Sequence, residues 1–226
     1  SSTAATEWKS VLVTAGVIVL LFIVWEVGYT GVVEGRAQAS LAQDVASAFA
    51  SGADLPGTTT PAGSTGPAID TVFALVRIPR LGGPTHVLPV YEGTGLPTLA
   101  KGFGHYSSTA LPGQIGNVGI AGHRLTHGNP FLDIDTIQTG DVVVVETREA
   151  YFVYRTVRHV IVLPWQTEVI APVPQQPQTT PTEAWLTLTS CNPKYSGRER
   201  YVVFAKLEQT IPRAAGLPPA LLADPR

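Results

Sequence analysis

The chain contains a single cysteine, Cys191, at a position where a β-strand is expected to end. It follows the alternating segment 185–190 and precedes Asn192 and Pro193, and a proline cannot continue the interior of a strand. A side chain at the end of a strand is presented at a rim, where a rigid scaffold can aim a nucleophile. A free cysteine is also among the most buried residue types, so an inert buried thiol is the alternative interpretation.

A histidine and an arginine are the candidate partners of this thiol. A free thiol with a pKa of about 8.5 is mostly protonated near neutral pH, so a working cysteine needs an adjacent histidine or another cation. His123 ends the predicted strand 117–123, and Arg200 lies nine residues after Cys191, where the next strand would return it towards the thiol. A guanidinium there would stabilise a tetrahedral oxyanion, and one such donor is worth about 10²–10³ in rate.

Each partner also has a structural interpretation. A lone histidine is usually a satisfied structural residue, and an arginine is usually an exposed cation. Arg198 competes with Arg200 because alternation places both on the same face of a strand, but Arg200 adjoins the apolar part of that strand. His123 and Cys191 are 68 positions apart (191 − 123), so only the tertiary fold can bring them together.

The composition favours a folded, strand-rich protein. Of the 226 residues, 44% are hydrophobic and 14% are charged, which is too apolar for a disordered chain. The formal net charge of −2 lacks the basic footprint of a nucleic-acid-binding protein. A single cysteine excludes an intramolecular disulfide, a cysteine-rich zinc site and an iron–sulfur cluster held within one chain. The 22 glycines and 19 prolines indicate short strands joined by many turns, and thus an all-β fold.

Residues 69–208 are predicted to form one β domain. Seven short β-rich runs separated by turn residues are typical of a closed barrel or a sandwich. These runs are residues 72–78, 86–91, 117–123, 142–147, 151–163, 184–190 and 201–207. Short helical turns fit residues 96–101 and 131–137.

The amino-terminal segment, residues 1–33, is predicted to contain a membrane-spanning helix. The fifteen residues 11–25 are almost entirely apolar, and extension to Thr30 gives a helix that matches a hydrocarbon layer of about 30 Å. A cleaved secretory signal is the alternative, because Ala37-Gln38-Ala39 resembles a small-x-small cleavage site. Both interpretations place the β domain outside the cell, and the first anchors it to the membrane by a single span.

Two further segments flank the predicted β domain. Residues 34–68 are expected to form a juxtamembrane helix, with Leu41, Val45 and Phe49 at helical spacing, followed by a flexible linker rich in Gly, Pro, Ser and Thr. Residues 209–226 are rich in proline and alanine and are expected to form a disordered tail.

Taken together, the motifs resemble those of sortases, the membrane-tethered cysteine transpeptidases of Gram-positive surfaces. The segment Ala121-Gly122-His123-Arg124, the strand Thr187-Leu188-Thr189-Ser190-Cys191 and the following Arg200 resemble the His, Thr-Leu-x-Thr-Cys and Arg signatures of that family. Residues 111–117 before the histidine strand and Gly140-Asp141 after it also match. The resemblance covers roughly residues 69–207 and is greatest to class E, with class D second.

The resemblance implies an eight-stranded β-barrel and a mechanism. Cys191 would attack the Thr carbonyl of a C-terminal sorting signal of Leu-Pro-x-Thr-Gly or Leu-Ala-x-Thr-Gly type, releasing the Gly side and leaving a thioester. His123 would act as general acid and base, and Arg200 would hold the substrate and the oxyanion. The acceptor would be an amine on a cell-wall precursor or on a pilin lysine. This chemistry requires no metal and no cofactor.

The resemblance also makes His127, Thr189 and Ser190 candidate substrate-binding residues. Ser190 stands where the family usually has threonine, and His127 stands where class E members often carry a tyrosine associated with alanine in the signal. Two alternatives to a sortase are an L,D-transpeptidase, which carries glycine immediately before its cysteine, and a non-catalytic surface interaction module, which usually ends in a sorting signal of its own. The sequence has neither feature at the corresponding place.

Overall fold

The computed structural model describes residues 2–25, 30–55, 66–223 and 225. Eight strands form a closed barrel in the order β1-β2-β3-β4-β7-β8-β6-β5. The strands are β1 (Val72–Arg77), β2 (Val87–Glu92), β3 (Phe103–His105), β4 (Gly116–Ala121), β5 (Val142–Glu146), β6 (Ala150–Val162), β7 (Ala184–Asn192) and β8 (Glu199–Pro212). The eight-stranded barrel with short helices that the resemblance implied is therefore confirmed.

The eighth strand, absent from the sequence pattern, is β3. It has only three residues, and a run this short carries no detectable alternation between apolar and polar positions. It pairs in parallel with β2 and antiparallel with β4, so it closes the barrel between them. The other parallel pair is β4 with β7, and this pair sets the position of the functional residues.

The barrel interior is filled by aromatic and branched side chains from all around the sheet. Phe103, Ile120, Leu186 and Leu188 are fully buried there, as is Phe131 from the loop after β4. Alternate residues of β7 therefore point inward, and the intervening residues Thr187, Thr189 and Cys191 lie on the outer face of the strand.

Five short helical segments lie in the connections between the strands. The helix α3 (Pro79–Gly82) continues into a 3₁₀ turn over Gly83–Thr85, and α4 (Leu96–Leu99) begins where a helical turn was expected. Further 3₁₀ turns span Ile134–Thr136 and Thr167–Ile170. The second of these lies in the long connection between β6 and β7.

The carboxy-terminal strand is longer than expected. β8 continues to Pro212, past the expected end of the barrel at residue 208, because it pairs with β6 as far as Ala150. Ile211 is buried against Val144 and Val153, and Leu217 packs against the same cluster. Residues 209–223 thus carry strand and 3₁₀ structure in place of the expected disorder, because apolar side chains of this segment cover the outer face of β5 and β6.

In the part of the chain that the structure describes, two helices precede the barrel. The first, α1 (Ser2–Val24), exposes its large apolar side chains between Val11 and Phe22. Within residues 2–25, 30–55 and 66–223, no helix combines the length and apolarity needed to cross a membrane. Residues 26–29, which would extend the predicted span, and residues 56–65 of the predicted linker lie outside the described residues.

The second helix, α2 (Thr30–Ser51), is packed on the barrel. Ala42, Val45 and Phe49 form a buried cluster with Leu75 of β1 and Tyr91 of β2. The apolar side chains recur every three or four residues, so they share one face of the helix and that face covers the sheet.

Candidate active site

Cys191 is the penultimate residue of β7 and is partly exposed. The strand continues one residue beyond it because Asn192 still pairs with Glu199 of β8. A cysteine buried as a small apolar residue would lie inward with Leu186 and Leu188. Cys191 instead lies on the outer face of the strand, near its end, where a thiol is accessible to a ligand.

His123 reaches the same place through the parallel pairing of β4 and β7. Ala121 is in register with Thr189, the Gly122 N–H donates to the Thr189 carbonyl at 3.1 Å, and the Ser190 hydroxyl donates to the Gly122 carbonyl at 2.9 Å. His123, which follows Gly122, is thereby held beside Cys191, which follows Ser190. This pairing is the physical reason that two side chains 68 positions apart (191 − 123) converge.

Gly122 is required at this junction. A Cβ atom there would lie 2.7 Å from the Phe131 ring and 2.8 Å from the Phe103 ring, which is closer than real Cβ contacts. Any larger residue would require the two rings or the backbone that carries His123 to shift.

A groove of about 340 Å³ joins the two candidate catalytic residues. Its walls come from the loop after β4 and from the loop between β7 and β8. The lining residues are His123, Arg124, Leu125, Thr126, Cys191, Lys194, Tyr195, Ser196 and Gly197. The thiol and the imidazole therefore face one shared, solvent-accessible space.

Arg200 is placed directly opposite Cys191 in the antiparallel pair of β7 and β8. Opposed residues of such a pair project from the same face of the sheet, so the two side chains share the outer face. The Arg200 Nη1 donates to the Gly197 and Glu199 carbonyls, each at 2.9 Å. The Arg200 guanidinium thus points towards the loop between β7 and β8. Arg198, the competing arginine in the sequence, is exposed.

Arg124 is a further residue of the candidate site, which the sequence motif contained but residue-level reasoning left unassigned. Its side chain is buried, with only 3% of the residue exposed. The Nη1 atom donates to the Cys191 carbonyl at 3.2 Å and to Asn192 Oδ1 at 2.8 Å, and Nη2 pairs with Asp135 at 2.8 Å. The signal available in the sequence was its position next to His123, but a buried arginine cannot be told from an exposed one by position alone.

The imidazole of His123 lies in a partly desolvated environment. Burial lowers its pKa below the usual value, the nearby His127 lowers the pKa further, and the Glu34 carboxylate opposes both effects by raising it. Within the described residues, Nε2 of His123 is buried and has no hydrogen-bond partner. A neutral imidazole with a free nitrogen can accept a proton from a thiol or an amine.

The three candidate substrate-binding residues have different positions. The His127 ring packs against the His123 ring, with the ring centroids 4.9 Å apart. Thr189 is buried, and its hydroxyl forms a 3.0 Å hydrogen bond with the Tyr106 hydroxyl. Ser190 is also buried and bound to Gly122, so the two side chains connect β7 to neighbouring segments and do not line the groove.

Two carboxylates near the groove, Asp133 and Asp135, are paired with basic side chains. Asp133 accepts from Lys194 at 2.7 Å, and Asp135 accepts from Arg124 at 2.8 Å. In the described part of the chain, no cluster of three or more His, Cys, Asp or Glu residues is arranged to hold a metal ion.

Comparisons with known proteins agree with the fold and the site. A family model described as "Sortase domain" matches residues 76–208. The chain is 35% identical over 222 residues to Sortase SrtE1 of Streptomyces coelicolor, covering 94% of this chain and 60% of that protein. It is 31% identical over 225 residues to Sortase SrtE2 of the same organism, covering 92% of this chain and 83% of that protein. The chain thus spans only about three fifths of the length of the first of these relatives.

A solved structure shows the same likeness. The structure of sortase E from Streptomyces avermitilis superposes with a TM-score of 0.61 at 42% sequence identity, covering 68% of this chain and 99% of that chain. The match covers nearly all of that chain.

Proposed function

The chain belongs to the sortase family and is of the class E type, and we propose that it is a cysteine transpeptidase acting on C-terminal sorting signals. The proposed substrates carry a Leu-Pro-x-Thr-Gly or Leu-Ala-x-Thr-Gly sequence that is cut between Thr and Gly. The single observation that carries the proposal is the groove that contains both Cys191 and His123.

In the first half of the reaction, the Cys191 sulfur attacks the carbonyl carbon of the signal threonine. The thiol proton passes to His123, whose unpartnered Nε2 supports this role. Collapse of the tetrahedral intermediate breaks the Thr–Gly bond, and His123 returns the proton to the departing glycine amine. The product is a thioester between Cys191 and the threonine.

In the second half, an amine attacks the thioester carbonyl. His123 takes one proton from the incoming amine as the new amide bond forms, and the Cys191 sulfur leaves and is reprotonated. The proposed acceptor is an amine on a peptidoglycan precursor or on a pilin lysine. Tyr195 lines the groove and is exposed to solvent. This exposed side of the groove supports access for a second substrate.

Arg200 is proposed to hold the substrate and the oxyanion. Its register opposite Cys191 supports this role. To act, the guanidinium would exchange its hydrogen bonds to the carbonyls of residues 197 and 199 for the negative oxygen of the intermediate. A charge-assisted bond to an oxyanion is stronger than a bond to a neutral carbonyl, so this exchange is favourable in the intermediate.

Substrate contact by His127, Thr189 and Ser190 stays a prediction. The buried positions of Thr189 and Ser190 favour an indirect contribution through the shape of the groove wall. His127 has a half-exposed side chain adjacent to His123, which supports contact with a residue of the signal next to the cleaved bond.

The proposed location is the outer face of the cell membrane, with the catalytic barrel extracellular. The exposed apolar side chains of α1 support a tether formed by the amino-terminal segment. Fractionation of cells that express the full chain tests this part: recovery of the enzyme in the soluble fraction would reject the tether.

A mass-spectrometric capture assay tests the function. The purified chain is incubated with Leu-Pro-x-Thr-Gly and Leu-Ala-x-Thr-Gly peptides, and the intact protein is weighed. Because Cys191 is the sole cysteine, a hydroxylamine-sensitive adduct of the acyl mass must be a thioester at that residue. We expect the adduct in the wild type and none in Cys191→Ala; an adduct that persists in the variant would refute the nucleophile assignment.

A further inference from the structure

The helix before the barrel contacts the loop that carries the proposed general base. Gln38, on α2, is buried with 4% of its surface exposed, and its Nε2 donates to the His127 carbonyl at 2.8 Å. His127 follows His123 by four residues in the same loop. The hydrogen bond therefore ties the helix to the backbone of the catalytic loop across 89 positions.

Two glycines lie where the helix and the loop cross, and the close fit depends on Gly128. Gly128 has a φ of +78°, and a Cβ atom there would lie 2.7 Å from Gln38 Oε1. A Cβ atom on Gly35, one turn earlier on α2, would lie 3.8 Å from the Gly128 Cα. Because neither backbone carries a side chain at this crossing, the helix and the loop approach each other closely.

Burial of Gln38 against the loop has a free-energy cost. Among the described residues, its Oε1 has no hydrogen-bond partner although it is buried. A buried polar atom without a partner is destabilising, because it has lost its hydrogen bonds to water. A methyl-bearing side chain of similar volume would avoid this penalty, but it would lose the bond to the loop.

A second contact links α2 to the same loop through charge. The Glu34 carboxylate lies 3.3 Å from Nδ1 of His127, and the two side chains are 38% and 37% exposed. The ring of His127 lies against His123 at 4.9 Å between centroids. Glu34, His127 and His123 thus form a continuous row from the helix to the groove.

We propose that α2 is a positioning element of the active site, in which Gln38 fixes the backbone of the His123 loop and Glu34 orients the His127 ring against His123. The inference rests on the proposed function of His123. Gln38, Glu34 and His127 are positioning residues, since they act on His123 rather than on the reacting carbonyl. The helix α2 is then a part of the catalytic unit as well as a connection to the segment before it.

The charges around His123 give this arrangement a measurable signature. The titratable and charged groups that face it are Cys191 from β7, Lys194 from the β7–β8 loop, the adjacent Arg124, and the pair of His127 and Glu34. His127 lowers the pKa of His123 and Glu34 raises it. Removal of the His127 imidazole should therefore raise the pKa of His123, and removal of the Glu34 carboxylate should lower it.

The first experiment is an NMR titration of the five histidines in isotope-labelled protein, with His123 assigned from the spectrum of His123→Gln. In His127→Gln the midpoint of His123 should move to higher pH, and in Glu34→Gln to lower pH. Asp44→Asn is the matched control, because it removes an exposed carboxylate from the same helix, ten positions from Glu34. Midpoints in both test variants equal to those of the control would overturn the electrostatic link.

The second experiment measures kcat and KM of Gln38→Leu in peptide transpeptidation. Loss of the bond to the loop should lower kcat by about tenfold with little change in KM, because small misplacement of a catalytic group has large rate effects. A kcat within about twofold of the Asp44→Asn control, in protein with wild-type secondary structure, would overturn the positioning role. If the wild type itself fails to cleave any sorting-signal peptide, the proposed function is refuted, whereas the NMR titration still decides whether α2 is coupled to His123.

Discussion

Replacement of Arg124 by methionine tests how the end of β7 is held in place. Arg124→Met keeps a long flexible side chain in the buried site but removes the guanidinium donors to the Cys191 carbonyl and to the Asn192 side chain. We expect both a less stable barrel and a slower reaction of the thiol, because Arg124 connects the loop after β4 to the strand end that carries the nucleophile.

The magnitude follows from the contacts that are lost. A hydrogen bond to a charged group contributes about 1.5–3 kcal/mol, and the 2.8 Å bond to Asn192 Oδ1 is of this kind. The bond to the Cys191 carbonyl is longer, at 3.2 Å, and is counted at about half that value. The ion pair with Asp135 adds little, since that carboxylate is 42% exposed and is rehydrated when its partner is removed. The free energy of unfolding should therefore fall by about 3 kcal/mol.

A fall of about 3 kcal/mol corresponds to a decrease of about 6–12 °C in the melting temperature of a domain of this size. Circular dichroism melts measure this decrease, and the rate of thioester formation is measured at a temperature where the variant is folded. Arg155→Met is the control, because it removes an arginine from an exposed ion pair with Glu208, and such pairs contribute about 0–1 kcal/mol.

Two results would refute this reasoning. A melting temperature of Arg124→Met that matches that of Arg155→Met would show that the buried contacts do not stabilise the barrel. A large fall in melting temperature with an unchanged rate of thioester formation in the folded protein would show that Arg124 stabilises the fold without positioning Cys191.

Three further substitutions test the barrel and the junction beside the site. Burial lowers the pKa of His86 from 6.5 to about 4. Between pH 6.5 and pH 4 the unfolded chain therefore binds a proton at this residue that the folded chain does not. The free energy of unfolding consequently falls as the pH falls through this range. His86→Phe should remove about 2 kcal/mol of the stability difference between about pH 7 and pH 5 in urea unfolding; an unchanged difference would contradict the burial of a neutral imidazole. Ser190→Ala should cost about 1 kcal/mol and slow thioester formation, because it leaves the Gly122 carbonyl without its hydroxyl donor; equal rates and equal urea midpoints for variant and wild type would count against this contact. Gly122→Ala should destabilise the barrel by about 1–3 kcal/mol, because the added methyl overlaps Phe131 and Phe103; wild-type thermal stability would show that the two rings can move aside.

Local patterns were sufficient for most of the barrel and for the chemistry of its strand ends. Seven strands follow from short β-rich runs bounded by turn residues, because both signals are local in the sequence. The break in pattern after Cys191 predicted a strand end, and the structure ends β7 one residue later. Three residues of β3 were too few for the same reasoning.

Long-range contacts decided the rest. The register of β4 against β7 brings His123 beside Cys191, and no local pattern encodes that register. The burial of Arg124 likewise depends on partners from other elements, such as Asn192 of β7, which is 68 positions away.

The sequence by itself thus determined which residue types could react and which strands could carry them, because both depend on local chemistry. Only the tertiary structure decided that α2 lies against the catalytic loop, where Gln38 meets the His127 carbonyl. The physical reason is that hydrogen bonds and ion pairs act over a few ångströms in space and are independent of separation along the chain, so their partners exist only once the barrel has closed.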